Sequence, residues 1–145
     1  MLGARGRAGR APELADSTLD GILCALDSEG RTCGARLDQA LADGREAELV
    51  YFVFDIPFSR GEDLRSAPLI ERKRILRDRL ASVAHESGAR VRLCEYVLGA
   101  GAKVFNRACE LGLEGVISKR VDSSYDGRPS DAWLEVKCAQ RLNLV

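Results

Sequence analysis

Leu49-Val-Tyr-Phe-Val-Phe-Asp-Ile-Pro-Phe58 is the stretch that decides how this chain folds. Apart from Asp55 every residue in it is apolar, so a strand built from it is buried on both faces. Its β-branched and aromatic side chains suit a pleated, packed surface. The segment Leu49 to Phe54 is also the longest aliphatic-aromatic run in the chain, and it is far too short to span a bilayer.

Outward from this strand the elements follow in mixed order. Downstream, Gly61-Glu62-Asp63 turns the chain. Pro68 opens the longest helix, which the spacing extends to about Glu86, with Ser66 as a candidate cap. Leu69, Ile75, Leu76, Leu80 and Val83 follow helical spacing, while Arg72, Lys73, Arg74, Arg77 and Arg79 read as a solvated charged face. A strand over Val91 to Val97 precedes a helix over Ala102 to Leu111, closed by Gly112. Two strands follow, Gly115 to Lys119 and Trp133 to Cys138, around a polar loop, Asp122 to Asp131, that holds Gly127 and Pro129. Upstream, Thr18 to Asp27 reads as a strand closed by Asp27-Ser28-Glu29-Gly30. Ala35 to Ala42 reads as a short helix with Leu37 and Leu41 four apart, ended by Asp43-Gly44. No regular strand-helix-strand alternation is visible. The expected class is α+β, with mostly antiparallel sheets flanked by helices.

The 145 residues fit one domain, and 46% hydrophobic content is enough for a core. Lys plus Arg equals Asp plus Glu at 22 each, so the basic excess of a nonspecific nucleic-acid binder is missing. Any contact with DNA must come from locally segregated charge. The lysines are confined to positions 73, 103, 119 and 137. The five cysteines show no Cys-x-x-Cys spacing, which predicts reduced thiols and neither a disulfide framework nor a zinc site. Arg5, Arg7 and Arg10 are not followed by an apolar signal segment, so a cytoplasmic chain with no membrane partner is expected. His85 is the sole histidine, sits toward a helix end where the macrodipole favours a cation, and receives no catalytic role.

Val53-Phe54-Asp55, Glu114-Gly-Val-Ile-Ser-Lys119 and Trp133-Leu-Glu-Val-Lys137 together resemble motifs III, IV and V of the ATP-dependent DNA ligases. Gly61-Glu-Asp-Leu64, Pro68-Leu-Ile-Glu-Arg-Lys73 and Cys109 to Arg120 extend the likeness to the ligase domains of bacterial end-joining enzymes. No single motif is decisive, but their order and register are. The resemblance implies a partial DNA ligase/mRNA capping enzyme nucleotidyltransferase fold over residues 16–140. Residues 1–15 would be a flexible tail, and residues 141–145 the stub of a linker toward an OB-fold domain. It also implies ATP and Mg²⁺ as cofactors, nicked or broken double-stranded DNA as partner, a role in repair and recombination, and a bacterial cytoplasm or nucleoid setting. The reaction implied is nick sealing through lysyl-AMP and DNA-adenylate.

The resemblance also assigns residues. Phe54 would stack on adenine, since a flat π-face binds a purine with little demand for hydrogen bonds. Read on its own, Phe54 is a core residue of an apolar run. Glu114 would help hold a divalent metal, which prefers oxygen ligands, and Lys119 would lie toward the phosphates. Read without the family, both are surface residues at the ends of a strand. Lys137 would meet the α-phosphate. Three positions depart from the family pattern. The family's first motif V lysine is here Glu135, an anion beside a triphosphate. The family's Leu-Asp-Gly-Glu is here Leu19-Asp20-Gly21-Ile22, and an alkyl group cannot ligate Mg²⁺. No Lys-x-Asp-Gly, which carries the family's nucleophile, occurs in the sequence. The expectation is therefore a ligase relative that is catalytically incompetent alone, completed in one version by a separate chain carrying the missing N-terminal part. The alternative is a non-catalytic remnant or a nucleic-acid- or partner-binding module.

Overall fold

The computed structural model describes residues 14–81, 90–126 and 131–138. The fold is α+β, as the mixed order of elements predicts. Strand β1 (Thr18–Ala25), helix α1 (Gly34–Ala42), strand β2 (Leu49–Ser59), strand β3 (Glu62–Asp63), helix α2 (Leu69–Ala81), strand β4 (Val91–Leu93), helix α3 (Gly101–Glu110), strand β5 (Gly115–Lys119) and strand β6 (Trp133–Lys137) follow in order. The helix continuation toward Glu86, Val83, His85, Gly127, Pro129 and residues 141–145 lie outside the described residues.

β2 is the centre of a four-stranded sheet. β1 runs antiparallel along one side, Ile22 opposite Phe52 and Ala25 opposite Leu49. On the other side β2 pairs antiparallel with β3 and parallel with β4. Pairing on both edges places β2 inside the sheet, and its apolar faces are covered by packing, Val53 within the main core and Phe54 against Trp133. α2 lays Leu76 and Leu80 against Val53 and Ile56, and Leu14 and Leu64 complete the cluster. Leu14 is therefore core, so the flexible tail expected through residue 15 does not reach that far. A smaller cluster of Ala25, Ala40 and Leu49 seats α1.

Register slips in β1 on either side of Asp20 mark a bulge. The next residue, Gly21, passes so close to β2 that a methyl group there would overlap the Phe52 carbonyl oxygen. β5 and β6 form a separate antiparallel ribbon with Lys119 opposite Trp133 and Gly115 opposite Lys137. A side chain at Gly115 would overlap the Val136 carbonyl oxygen, so the ribbon needs glycine there.

Three sequence expectations are corrected. The strand expected over Val91 to Val97 is only three residues long, because it pairs with β2 at Tyr51–Val53 and then leaves the sheet. Ser66 does not supply the acceptors at the start of α2. The Leu69 and Ile70 amides donate to the Ser123 and Val121 carbonyls, so the loop after β5 closes that helix end. Cys109 and Cys138 form a disulfide with their Cα atoms 5.5 Å apart, against the expectation of reduced thiols throughout. Their separation of 29 residues carries no local signal, and only packing of α3 beside the ribbon brings them together. Cys24, Cys33 and Cys94 are free. Among the described residues no helix is long and apolar enough to cross a membrane.

Candidate functional site

Asp55 is the one charged residue in β2, and its side chain has no exposure to water. An isolated carboxylate could not stay there. Arg72, also fully buried, meets it with two parallel hydrogen bonds: Nε donates to Oδ1 at 2.8 Å and Nη2 donates to Oδ2 at 2.9 Å. The Ile56 amide donates to Oδ1 as well. The remaining Arg72 donor, Nη1, reaches the Ala67 and Ser123 carbonyls. One guanidinium thus locks the sheet, the start of α2 and the loop after β5 together. Lys73 beside it is also buried, donating from Nζ to the Phe54 carbonyl at 3.1 Å and lying 4.4 Å from the Tyr96 ring centre. Arg72 and Lys73 therefore leave the solvated helix face to which their charge assigned them. The reason is geometric: on α2 they point at β2, where Asp55 and a backbone carbonyl await a donor. Arg74 keeps the predicted role, bonded to Glu71 and Asp78 in water.

Phe54 is half-buried and meets Trp133 of β6 edge-on, ring centres 6.4 Å apart at 81°. The Lys119 ammonium sits in the angle between them, 4.2 Å from the Phe54 centroid and 3.4 Å from that of Trp133. Cross-strand pairing puts Lys119 and Trp133 on one face of the ribbon, and that face turns toward β2. Burial pulls the Lys119 ammonium down to about 8, with the Asp55 and Asp20 charges resisting and that of Lys73 assisting. Burial likewise lowers Lys73.

Asp20 and Tyr125 close the same region. The Tyr125 hydroxyl donates to Asp20 Oδ2 at 3.1 Å, and its ring lies 5.7 Å from the Arg72 guanidinium. Burial raises Asp20, against the hydrogen bond from Tyr125 that lowers it. Burial and then the Asp20 charge push Tyr125 up to about 12. The sequence by itself assigns no site role to Arg72, Lys73, Trp133, Asp20 or Tyr125. The available signals were one aromatic residue in a polar loop and one carboxylate in an apolar strand.

The other predicted positions are less gathered. Glu114 is exposed just before β5, its carbonyl accepting from the Cys138 amide. Lys137 and Glu135 share the ribbon face of Lys119 but extend into water, Nζ 3.7 Å from Oε1. Ile22 is 56% exposed on β1 opposite Phe52, hence on the sheet face that carries Phe54. Among the described residues no cluster of three or more His, Cys, Asp or Glu side chains could hold a metal ion. Asp55 is taken by Arg72 and Asp20 by Tyr125, so the donor set does not fit a resident Mg²⁺.

The chain is similar to known proteins over most of its length. The profile of the family described as "ATP dependent DNA ligase domain" matches residues 14–137. The multifunctional non-homologous end joining protein LigD of Pseudomonas aeruginosa is 38% identical over 129 residues, covering 89% of this chain and 15% of that protein. The SPbeta prophage-derived DNA ligase-like protein LigB of Bacillus subtilis is 30% identical over 133 residues, covering 86% of this chain and 47% of that protein. The crystal structure of the ligase domain from M. tuberculosis LigD superposes with a TM-score of 0.68 at 30% identity, over 83% of this chain and 38% of that one. A mycobacterial DNA ligase D complexed with ATP and MES gives 0.66 at 29% identity, over 92% of this chain and 46% of that one. The chain thus spans less than half the length of these relatives. With its profile match running from the first core residue to the end of β6, and with a LigD ligase domain superposing over most of its length, this chain belongs to the ATP-dependent DNA ligase domain family.

Proposed function

We propose that this chain supplies the base-facing and phosphate-facing walls of a ligase adenylation site. Phe54 lies under adenine, Lys119 and Lys137 face the phosphates, and Glu114 offers one carboxylate to Mg²⁺ carried in on the triphosphate. The observation that carries the reading is the stack of Phe54, Lys119 and Trp133 beside the buried Asp55–Arg72 pair. It joins an aromatic face and a cation on two elements that a rigid ion pair holds in register. The whole reaction in this reading is nick sealing in double-stranded DNA through lysyl-AMP and DNA-adenylate, serving repair and recombination by end joining at the bacterial nucleoid. Its nucleophile belongs to a Lys-x-Asp-Gly segment, which these 145 residues do not contain. In this reading the nucleophile is not supplied by these 145 residues.

The residues at the phosphate end argue for weak binding by the 145 residues alone. Glu135 sits beside Lys137 and offsets its charge, and Ile22 offers no ligand to a metal. ATP should bind in the millimolar range, about −4 kcal/mol. Incubation with Mg²⁺ and α-labelled ATP should leave no labelled protein on a denaturing gel; a band that survives denaturation would overturn the assignment of the nucleophile. Calorimetry should show Phe54→Ala weakening ATP binding in a folded variant. Unchanged affinity would return Phe54 to a packing role.

A further inference from the structure

The ring face that the proposed reading assigns to adenine is already covered by a side chain of the protein itself. Lys119 Nζ stands 4.2 Å from the Phe54 centroid, a position a stacked base would also occupy. Trp133, nearly perpendicular to Phe54, forms the second wall and holds the ammonium more closely, at 3.4 Å. Two aromatic walls at right angles around a half-buried ammonium make a cation cage. No hydrogen bond or ion pair from Lys119 to an acidic side chain competes with this arrangement among the interactions of the described site, although Asp20 and Asp55 lie close enough for their charge to act on it.

We propose that Lys119 is a specificity-determining residue that occupies the Phe54 ring as an internal ligand, with Trp133 as the positioning residue that keeps it there, so that the site admits a phosphorylated adenosine and resists the bare nucleoside. The inference rests on the reading of Phe54 as the base platform. A base alone must displace the ammonium from both rings and gives it nothing in return. A nucleotide displaces it too, but its phosphates provide a better partner for the cation than two π-faces do. The cage therefore converts phosphate recognition into access to the stacking surface. Trp133 should report the exchange directly, because the ammonium lies against its ring.

The test compares adenosine with ATP, using Trp133 fluorescence and calorimetry on the 145-residue chain. Lys119→Met should bind adenosine about fivefold or more tightly than the parent while losing affinity for ATP, a crossover that a merely structural role would not produce. Lys119→Arg keeps a cation between the rings and should preserve the parent's order of preference. In the parent, raising the pH from 7 to 9.5 carries Lys119 through its lowered pKa of about 8 and should tighten adenosine binding. Lys73, Asp20, Asp55 and Cys94 also face this ammonium, so the pH response is compared with that of Lys119→Arg, where it should largely vanish. The pH arm needs no substitution to fold. If the parent's adenosine affinity is flat over that range, or if folded Lys119→Met binds adenosine no better, the inference is overturned while the base platform stands. If Phe54→Leu leaves both ligands unaffected, the underlying reading of the site has failed instead.

Discussion

Glu135 and Lys137 lie two apart on a strand, and that spacing sets them side by side on one face, 3.7 Å between charged atoms. The anion draws off part of the attraction Lys137 would offer a phosphate. Glu135→Lys combined with Ile22→Glu should tighten ATP binding about threefold or more without producing ligation, and the gain should shrink in high salt because both positions are exposed. Equal affinities for parent and double variant in calorimetry would remove these positions from the site. A second prediction concerns Arg72. Its removal leaves the Asp55 carboxylate buried without its bidentate partner, a change that costs about 3–5 kcal/mol in comparable settings. Arg72→Ala should therefore be strongly destabilised in urea, whereas Arg74→Ala, whose partners are in water, should stay within about 0.5 kcal/mol of the parent.

At the scale of elements, the ribbon of β5 and β6 holds Lys119, Trp133, Glu135 and Lys137, yet among the described residues it shares no backbone ladder with the main sheet. It is held instead by α3, by the loop that closes the start of α2, and by the Cys109–Cys138 bridge. The bridge closes a loop of 29 residues that includes the whole ribbon. A cross-link of that span restricts the unfolded chain by about 3–4 kcal/mol on the chain-entropy account. Reduction with a phosphine should lower the melting temperature, and Cys109→Ser with Cys138→Ser should melt like the reduced parent and ignore the reductant. A parent whose melt is the same with and without reductant would show that the bridge contributes nothing to the fold.

For the molecule as a whole, exposure falls in an unexpected place. Leu49 to Phe54, the window most prone to aggregate by composition, pairs with β1 over Leu49–Val53 and with β4 over Tyr51–Val53, so its middle is protected on both edges. Both faces of the ribbon carry wet apolar side chains, Leu134 62% exposed on one and Ile117 57% exposed on the other, with Leu111 and Leu113 exposed just before it. Apolar surface left wet on both faces of a small ribbon favours association. The 145-residue chain should self-associate, and Ile117→Lys with Leu134→Lys should reduce that association while leaving the main sheet intact. Sedimentation of the parent as a monomer with a sharp cooperative melt would refute this.

The family was legible in the sequence because its signals are local: Phe54 before Asp55, a Glu-Gly opening into a strand, and a last strand ending in Lys137 each sit within a few residues. The class of fold was legible for the same reason, since strand and helix periods are short-range properties of the chain. The absence of a Lys-x-Asp-Gly lysine and the alkyl and acidic side chains at Ile22 and Glu135 needed no structure at all. Tertiary structure decided which charges are buried and what they hold. Arg72 looks like its neighbours on a basic helix, and only the packing of α2 on β2 separates it from Arg74 by setting it against a carboxylate 17 residues away. Trp133, Lys119 and Phe54 come from three strands, and Cys109 meets Cys138 across a whole ribbon. Such pairs are set by through-space distance, which periodicity and spacing along the chain do not encode.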